Sequence, residues 1–302
     1  MVREQLPDVP ERNILVEPIN RNTAPSVAWA NMRILQRDAQ ANVIITPSDQ
    51  FVVNEASFRK SVEMGFSYVS EHDVLLAMGV KPTRPEPGYG YIQLGDRAQC
   101  SIAVENVFKV KSFTEKPERD FAKMFMESGE FYWNTGIFMS SVKNLIKSFM
   151  DIFPEVLRNL KVEKPDYSYE VEMEYVKKNY PRYPNLSLDY AILERGLQIP
   201  SNVYVMTCDF GWADLGTWHS IYEFMQKGEN DNVVVDSEVY FDESRGNIVK
   251  LPKGRLGVIS GLDGYIVAEE GNVLLICKKS DSSSLVKKYV NEVRIRYGED
   301  FV

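Results

Sequence analysis

The chain has 302 residues, room for one large domain or two of ordinary size, and its 44% apolar and 26% charged residues are those of a globular protein with a sizeable core. A net charge of −8 argues against a general nucleic-acid-binding role, which needs a cationic footprint; no apolar run nears the ~20 residues that span a bilayer, and no basic-then-apolar leader opens the chain. Three scattered cysteines (Cys100, Cys208, Cys277) argue for a reducing, cytoplasmic compartment over a disulfide scaffold or a zinc site, and two histidines (His72, His219) are too few for a histidine-rich metal centre.

In chain order, residues 13–17 (NILVE) read as a short apolar strand stopped by Pro18. Asn22-Thr23 starts a helix over 24–39, with Val27, Ala30, Ile34 and Leu35 near one face. Residues 42–46 (NVIIT) make an apolar strand ended by Pro47-Ser48-Asp49; 55–70 is a second helix and 74–78 a third strand. Apolar strands alternating with helices predict an α/β fold on a parallel sheet covered on both faces. Pro82, Pro85, Pro87, Gly88, Gly90 and Gly95 mark a long ordered loop or hairpin. Residues 101–113 alternate like a long antiparallel strand, 132–139 and 203–207 are strands, and 118–128, 142–160, 169–178 and 187–195 are helical. From Asn230 the texture changes. Short strands at 233–236, 247–251, 257–260, 265–268 and 273–277, evenly spaced by turn residues, predict an all-β appendage closed by an amphipathic helix over 282–297. The domain boundary is placed near Gly228, giving domains 1–228 and 229–302.

Ligands of open α/β sheets bind outside the carboxyl ends of the strands. Asp49 follows the strand 42–46, where a carboxylate suits Mg²⁺ in a phosphate site; a turn Asp capping the next helix is the rival account. Asp214, in FGWADLGTW, follows the strand 203–207 and is either a second metal carboxylate or a helix cap inside an aromatic plug. Two such carboxylates holding one hydrated Mg²⁺ would suit phosphoryl or nucleotidyl transfer. In FTEKP, Pro117 holds the preceding residue extended; Glu115 would accept hydrogen bonds from a sugar and Lys116 would meet a phosphate, or the two form a solvated pair. Gly88-Tyr89-Gly90-Tyr91 permits close approach of a ligand or bends a hairpin. Asn134, between aromatics in YWNTG, grips a sugar or sits in a core strand. No P-loop or GxGxxG fingerprint is present.

In order, Glu17-Pro18 with Arg21-Asn22-Thr23-Ala24-Pro25, Pro47-Ser48-Asp49, Gly88-Tyr89-Gly90-Tyr91-Ile92, Phe113-Thr114-Glu115-Lys116-Pro117, Trp133-Asn134-Thr135-Gly136, Ser187-Leu188-Asp189-Tyr190 and Trp212-Ala213-Asp214-Leu215-Gly216 resemble the mannose-1-phosphate guanylyltransferases along the whole chain. The resemblance implies a Rossmann-like nucleotidyltransferase fold with a mixed sheet and a small β-helix-like C-terminal domain. It implies GTP and mannose 1-phosphate as substrates, GDP-mannose and pyrophosphate as products, and in-line attack on the α-phosphorus without a covalent enzyme intermediate. It also assigns Asp49 and Asp214 to catalytic Mg²⁺ and Lys116 to the sugar phosphate. Glu17, Arg21, Asn22, Thr23 and Pro47 go to the nucleotide, and Gly90, Glu115, Asn134 and Asp189 to mannose.

Two features depart from the family pattern. Gln50 stands where the family usually has histidine after the Pro-(Ser/Ala)-Asp motif, a change that is tolerated where the side chain acts through another group, because Gln still offers a donor and an acceptor. The Gly-rich triphosphate loop and its following lysine have no counterpart, so Met1 reads as an internal start or a truncation that exposes sheet edges, and the chain alone is expected to be weak or inactive. A non-catalytic GDP-mannose-binding paralogue and a transferase for another sugar 1-phosphate are the rival readings. The β appendage packs on the catalytic part or forms a homodimer interface.

Overall fold

The computed structural model describes residues 2–98, 106–160, 169–191, 202–216, 218–279, 282–298 and 301. They fall into two compact units, Met1–Pro47 with Val53–Phe210, and Ser48–Val52 with Gly211–Val302. The change of unit therefore lies between Phe210 and Gly211, upstream of Gly228. Ser48–Val52 joins the second unit because it pairs there with Trp212–Asp214.

The first unit begins with α1 (Val2–Gln5), a 3-10 turn at Glu11–Asn13 and α2 (Thr23–Arg37). Residues 14–17 form no strand. The chain is extended there, Leu15 packs on the core, and the Glu17 carboxylate accepts from the Tyr180 hydroxyl, so the apolar side chains are used without a ladder. Helix α2 buries Ala24, Ala28 and Trp29, residues on one face at helical spacing. Then come β1 (Asn42–Ile45), β2 (Gln50–Val52, in the second unit), α3 (Glu55–Glu71) and β3 (Leu75–Val80). The Asn54 side chain accepts from Ser57 N–H and caps α3.

Strands β4 (Gly90–Arg97) and β5 (Val107–Glu115) follow as an antiparallel pair, so the glycine-rich stretch is strand from Gly90 onward. After α4 (Arg119–Ser128) and β6 (Phe131–Ser141), the helix expected over 142–160 is two, α5 (Val142–Ile152) and α6 (Pro154–Leu160). Phe153 leaves the helical region (φ −141°) because the proline after it crowds that conformation. Helix α7 (Tyr169–Asn179) and β7 (Val203–Cys208) complete the unit. Positions 101–105 and 192–195, parts of an expected strand and helix, lie outside the described residues; helix begins at Leu188.

The six strands are ordered β1-β6-β3-β7-β5-β4, and β6 also pairs with β4. Among the described residues of this sheet only β3 and β7 run parallel to each other; β6 lies antiparallel to β1, β3 and β4. The sheet is mixed, and β1, expected inside a covered parallel sheet, is a half-buried edge strand. β3 is buried at every position, as its unbroken apolar run dictates. The core gathers Leu75, Ala77, Ile92, Phe138, Phe149 and Val205 with Trp29 of α2.

The second unit holds the antiparallel pair of β2 with β8 (Trp212–Asp214), then α8 (Trp218–Phe224) and β9 (Val233–Val235). It continues through β10 (Glu238–Asp242), β11 (Ile248–Lys250), β12 (Leu256–Ser260), β13 (Tyr265–Glu270), β14 (Val273–Lys278) and α9 (Ser282–Tyr297). β9, β11 and β13 stack in parallel, as do β10 and β12, so the chain coils with successive rungs 15 and then 18 residues apart. Asn232 and Asn247 stack one rung apart: Asn247 donates its amide to Asn232 Oδ1 at 3.0 Å, and Tyr265 N–H donates to Asn247 Oδ1 at 2.8 Å. One sheet face packs Val233, Ile248, Ile266 and Cys277 against Tyr222, Ile221 and Val286 of the flanking helices; the other packs Val249 and Val267 against Phe241 and Ile259. β10, absent from the sequence reading, exposes every other residue of its EVYFD run. Among the described residues no helix is long and apolar enough to cross a membrane.

Candidate active site

The two acids are backbone neighbours in the second unit. Gln50 of β2 lies opposite Asp214 of β8, so Asp49 precedes the partner of Asp214, and Leu215 N–H donates to the Asp49 carbonyl at 3.0 Å. Asp49 is exposed and Asp214 half-buried. Gly216 N–H donates to Asp214 Oδ1 at 2.8 Å, a local turn that orients the carboxylate. Among the described residues no group of three or more His, Cys, Asp or Glu side chains gathers around one point. Two hard carboxylates still suit Mg²⁺, which keeps several waters and is usually bound through one or two carboxylates plus substrate phosphates. The donor set fits that ion.

In the first unit, Gly90 pairs with Glu115 across β4 and β5. A Cβ on residue 90 would stand 2.7 Å from Glu115 Oε2 and 2.9 Å from the Phe113 ring, so only glycine lets that carboxylate lie over the strand. Lys116 is not extended, as Pro117 would favour. It sits in the left-handed region at φ 48°, its N–H donates to Tyr89 O at 3.2 Å, and its ammonium pairs with Glu115. These contacts outweigh the local preference. Lys116 is 56% exposed, so the pair contributes little to stability.

Asn134 sits where β6 slips its register against β3, between Ala77 and Gly79. Gly136 takes φ 72° there, a conformation a side chain resists. Asn134 Oδ1 accepts from Gly136 N–H at 3.2 Å, and Thr135 Oγ1 donates to Met78 O at 2.8 Å, so side chains satisfy backbone groups the bulge unpairs. The other end of the buried Asn134 amide donates to Asp189 Oδ1 at 2.6 Å, joining two residues 55 apart in sequence. Trp133 meets Tyr89 edge-on at 5.2 Å, and the Arg84 guanidinium lies 5.3 Å from the Trp133 ring. Arg84 is a cation beside this cluster that sequence reading missed; its only signal is the Pro-Gly setting.

The segment from Glu17 to Ser26 borders an open cavity of about 810 Å³, lined by Glu17, Asn20, Asn22, Thr23, Ser26 and Asn185 among others. Asn22 takes φ 62° and its side chain accepts from Thr23 N–H at 3.0 Å. Thr23 Oγ1 accepts from Leu188 N–H at 2.8 Å. Arg21 is turned to the Pro181 carbonyl and Pro47 stays exposed; neither lines the cavity. Beneath Glu17 is Tyr180, fully buried, whose hydroxyl donates to the carboxylate. Burial first, then the hydrogen bond and charge of Glu17, push the phenol pKa up. No motif spacing links residues so distant, so Tyr180 was invisible in sequence.

The nucleotidyl transferase family model matches residues 1–231. The mannose-1-phosphate guanylyltransferase of Escherichia coli is 29% identical over 288 residues, covering 94% of this chain and 60% of that protein. The alginate biosynthesis protein AlgA of Pseudomonas aeruginosa is 30% identical over 299 residues, covering 97% and 59%. The chain thus spans about three fifths of the length of these curated relatives. The crystal structure titled mannose-1-phosphate geranyltransferase, from Thermus thermophilus, superposes with a TM-score of 0.77 at 25% identity, covering 93% of this chain and 77% of that one.

Proposed function

The chain belongs to the nucleotidyl transferase family, and from that membership we propose that it is the catalytic part of a mannose-1-phosphate guanylyltransferase, making GDP-mannose and pyrophosphate from GTP and mannose 1-phosphate. The observation that carries the reading is the match to the Escherichia coli guanylyltransferase over 94% of this chain. The fitting geometry of several motif residues supports it.

Glu17, Asn22 and Thr23 border the guanine and ribose; Arg21 and Pro47, which do not line the cavity, are assigned to the nucleotide by the resemblance alone. Glu115 and the Asn134–Asp189 pair accept and donate hydrogen bonds to mannose hydroxyls, with Gly90 making room for the Glu115 carboxylate. Lys116 meets the sugar phosphate as a point charge. The phosphate oxygen of mannose 1-phosphate attacks the α-phosphorus in line and pyrophosphate departs, so the protein's work is positioning and charge stabilisation. Asp49 and Asp214 would hold Mg²⁺, which when bound neutralises charge on the phosphates. The domain roles follow: the catalytic part runs through residue 228 and so includes the β2–β8 pair, which belongs to the second compact unit, and the β coil comes after it.

The test is calorimetric binding of GTP, ATP, UTP and GDP-mannose, with pyrophosphate release measured for each nucleotide. Preferential binding of GTP and GDP-mannose supports the reading; preference for ATP or UTP overturns it. Asp214→Asn should lower pyrophosphate release about 100-fold or more, the scale of losing one charge-stabilising group. Since the chain alone is expected to turn over weakly or not at all, the rival is read from binding: GDP-mannose affinity indifferent to Asp214→Asn would instead indicate the non-catalytic paralogue.

A further inference from the structure

We propose that Tyr180 is a positioning residue for base selection: its hydroxyl holds the Glu17 carboxylate at the wall of the open cavity in the orientation that accepts two adjacent N–H groups of guanine. This rests on the guanine reading of that cavity given above.

Glu17 lies on extended chain, outside any ladder, so its backbone does little to aim its side chain. Tyr180 supplies the aim. It is 0% exposed and wedged edge-on between Trp29, at 6.1 Å and 62°, and Tyr183, at 5.0 Å and 79°. Trp29 is itself tied down, donating its indole N–H to Glu172 Oε1 at 2.8 Å, and Glu172 also pairs with Arg33. The phenol is therefore fixed to α2, the helix whose first residue, Thr23, and whose Ser26 line the same cavity. Burial keeps the phenol protonated, so it remains a donor across the physiological range.

An ionised carboxylate only accepts hydrogen bonds. Guanine offers it two neighbouring donors, the ring N1–H and the 2-amino group. Adenine offers the 6-amino donor beside a ring nitrogen that is itself an acceptor, and that lone pair faces the carboxylate. A carboxylate held still enforces this difference; one free to rotate turns an oxygen away and loses part of it.

Tyr180→Phe keeps the ring and its packing and removes only the hydroxyl. Binding of GTP, ITP (which lacks the 2-amino group) and ATP is measured by calorimetry on wild type and variant, with thermal melts to show that both are folded. The expected result is a fall in GTP affinity of about tenfold, ATP unchanged, and a GTP/ITP ratio that shrinks toward one. Where turnover is measurable, the KM for GTP rises while kcat and the KM for mannose 1-phosphate hold. A wild type that binds no guanine nucleotide defeats the functional reading itself. A wild type that prefers GTP, with a folded Tyr180→Phe keeping the same GTP/ATP and GTP/ITP ratios, defeats this inference alone. Glu17→Gln supplies the check on a variant that misfolds: it should abolish the GTP/ITP preference with Tyr180 in place, and an unchanged preference also overturns the inference.

Discussion

Gly90→Ala separates steric from chemical work at the proposed sugar end of the site. The added methyl would stand 2.9 Å from two carbons of the Phe113 ring, where carbon pairs are at rest at about 3.5–4.0 Å, so ring or strand must yield by roughly half an ångström or more. Phe113 is only 9% exposed, and overpacking at such a site costs about 1–3 kcal/mol. The contact with Glu115 Oε2, at 2.7 Å, is relieved more cheaply because the carboxylate ends a flexible side chain. If Glu115 binds the sugar as proposed, the relief moves that carboxylate away from it, and losing a hydrogen bond to a charged group, about 1.5–3 kcal/mol, should weaken GDP-mannose binding about 10- to 100-fold. Urea denaturation reads the first effect and calorimetry with GDP-mannose, against GTP as control, the second. Adding Phe113→Leu should recover part of the stability and none of the affinity. Loss of stability with unchanged GDP-mannose affinity would remove Glu115 from the sugar site, and wild-type stability would refute the steric reasoning.

Glu172→Ala strips the Trp29 indole of its acceptor and leaves Arg33, with 14% of its side chain exposed, without its charge partner; a loss of about 3–5 kcal/mol is expected in urea melts followed by tryptophan fluorescence. Asp189→Ala leaves the buried Asn134 amide without that acceptor and should cost about 1–3 kcal/mol by the same melts, together with weaker GDP-mannose binding. Burial pushes the Cys208 thiol from its ordinary value near 9 up to about 12. The stability this neutral thiol contributes is whole below pH 9 and is lost as pH rises toward 12. Between pH 9 and 10 wild type should therefore lose about 1 kcal/mol more than Cys208→Ala, and equal losses would refute the assignment.

The regular elements of the first unit were legible because their patterns are local. The unbroken apolar run of β3 announced burial on both faces, and the stripe of α2 announced a helix. Failures came where a distant partner decides. β1 read as a strand of a covered parallel sheet, because its four residues cannot reveal that among the described strands its one neighbour is the antiparallel β6. Lys116 was expected extended before Pro117, yet its bond to Tyr89 and its pairing with Glu115 select a left-handed backbone. The compact units divide between Phe210 and Gly211 because β8 belongs by pairing to a segment that precedes α3.

By itself the sequence determined the α/β class, the β coil that follows, and the residue types on which the proposed chemistry draws, since each is carried by neighbouring residues whose spacing matches a strand, a rung or a short motif. Only the tertiary structure decided which of those residues meet. Asp49 joins Asp214 through a two-stranded ladder, Asn134 joins Asp189 at a bulge, and Glu17 is held by Tyr180, 163 positions away. Hydrogen bonds and packing act over ångströms in space, whatever the distance along the chain, and a linear pattern holds no record of that closeness.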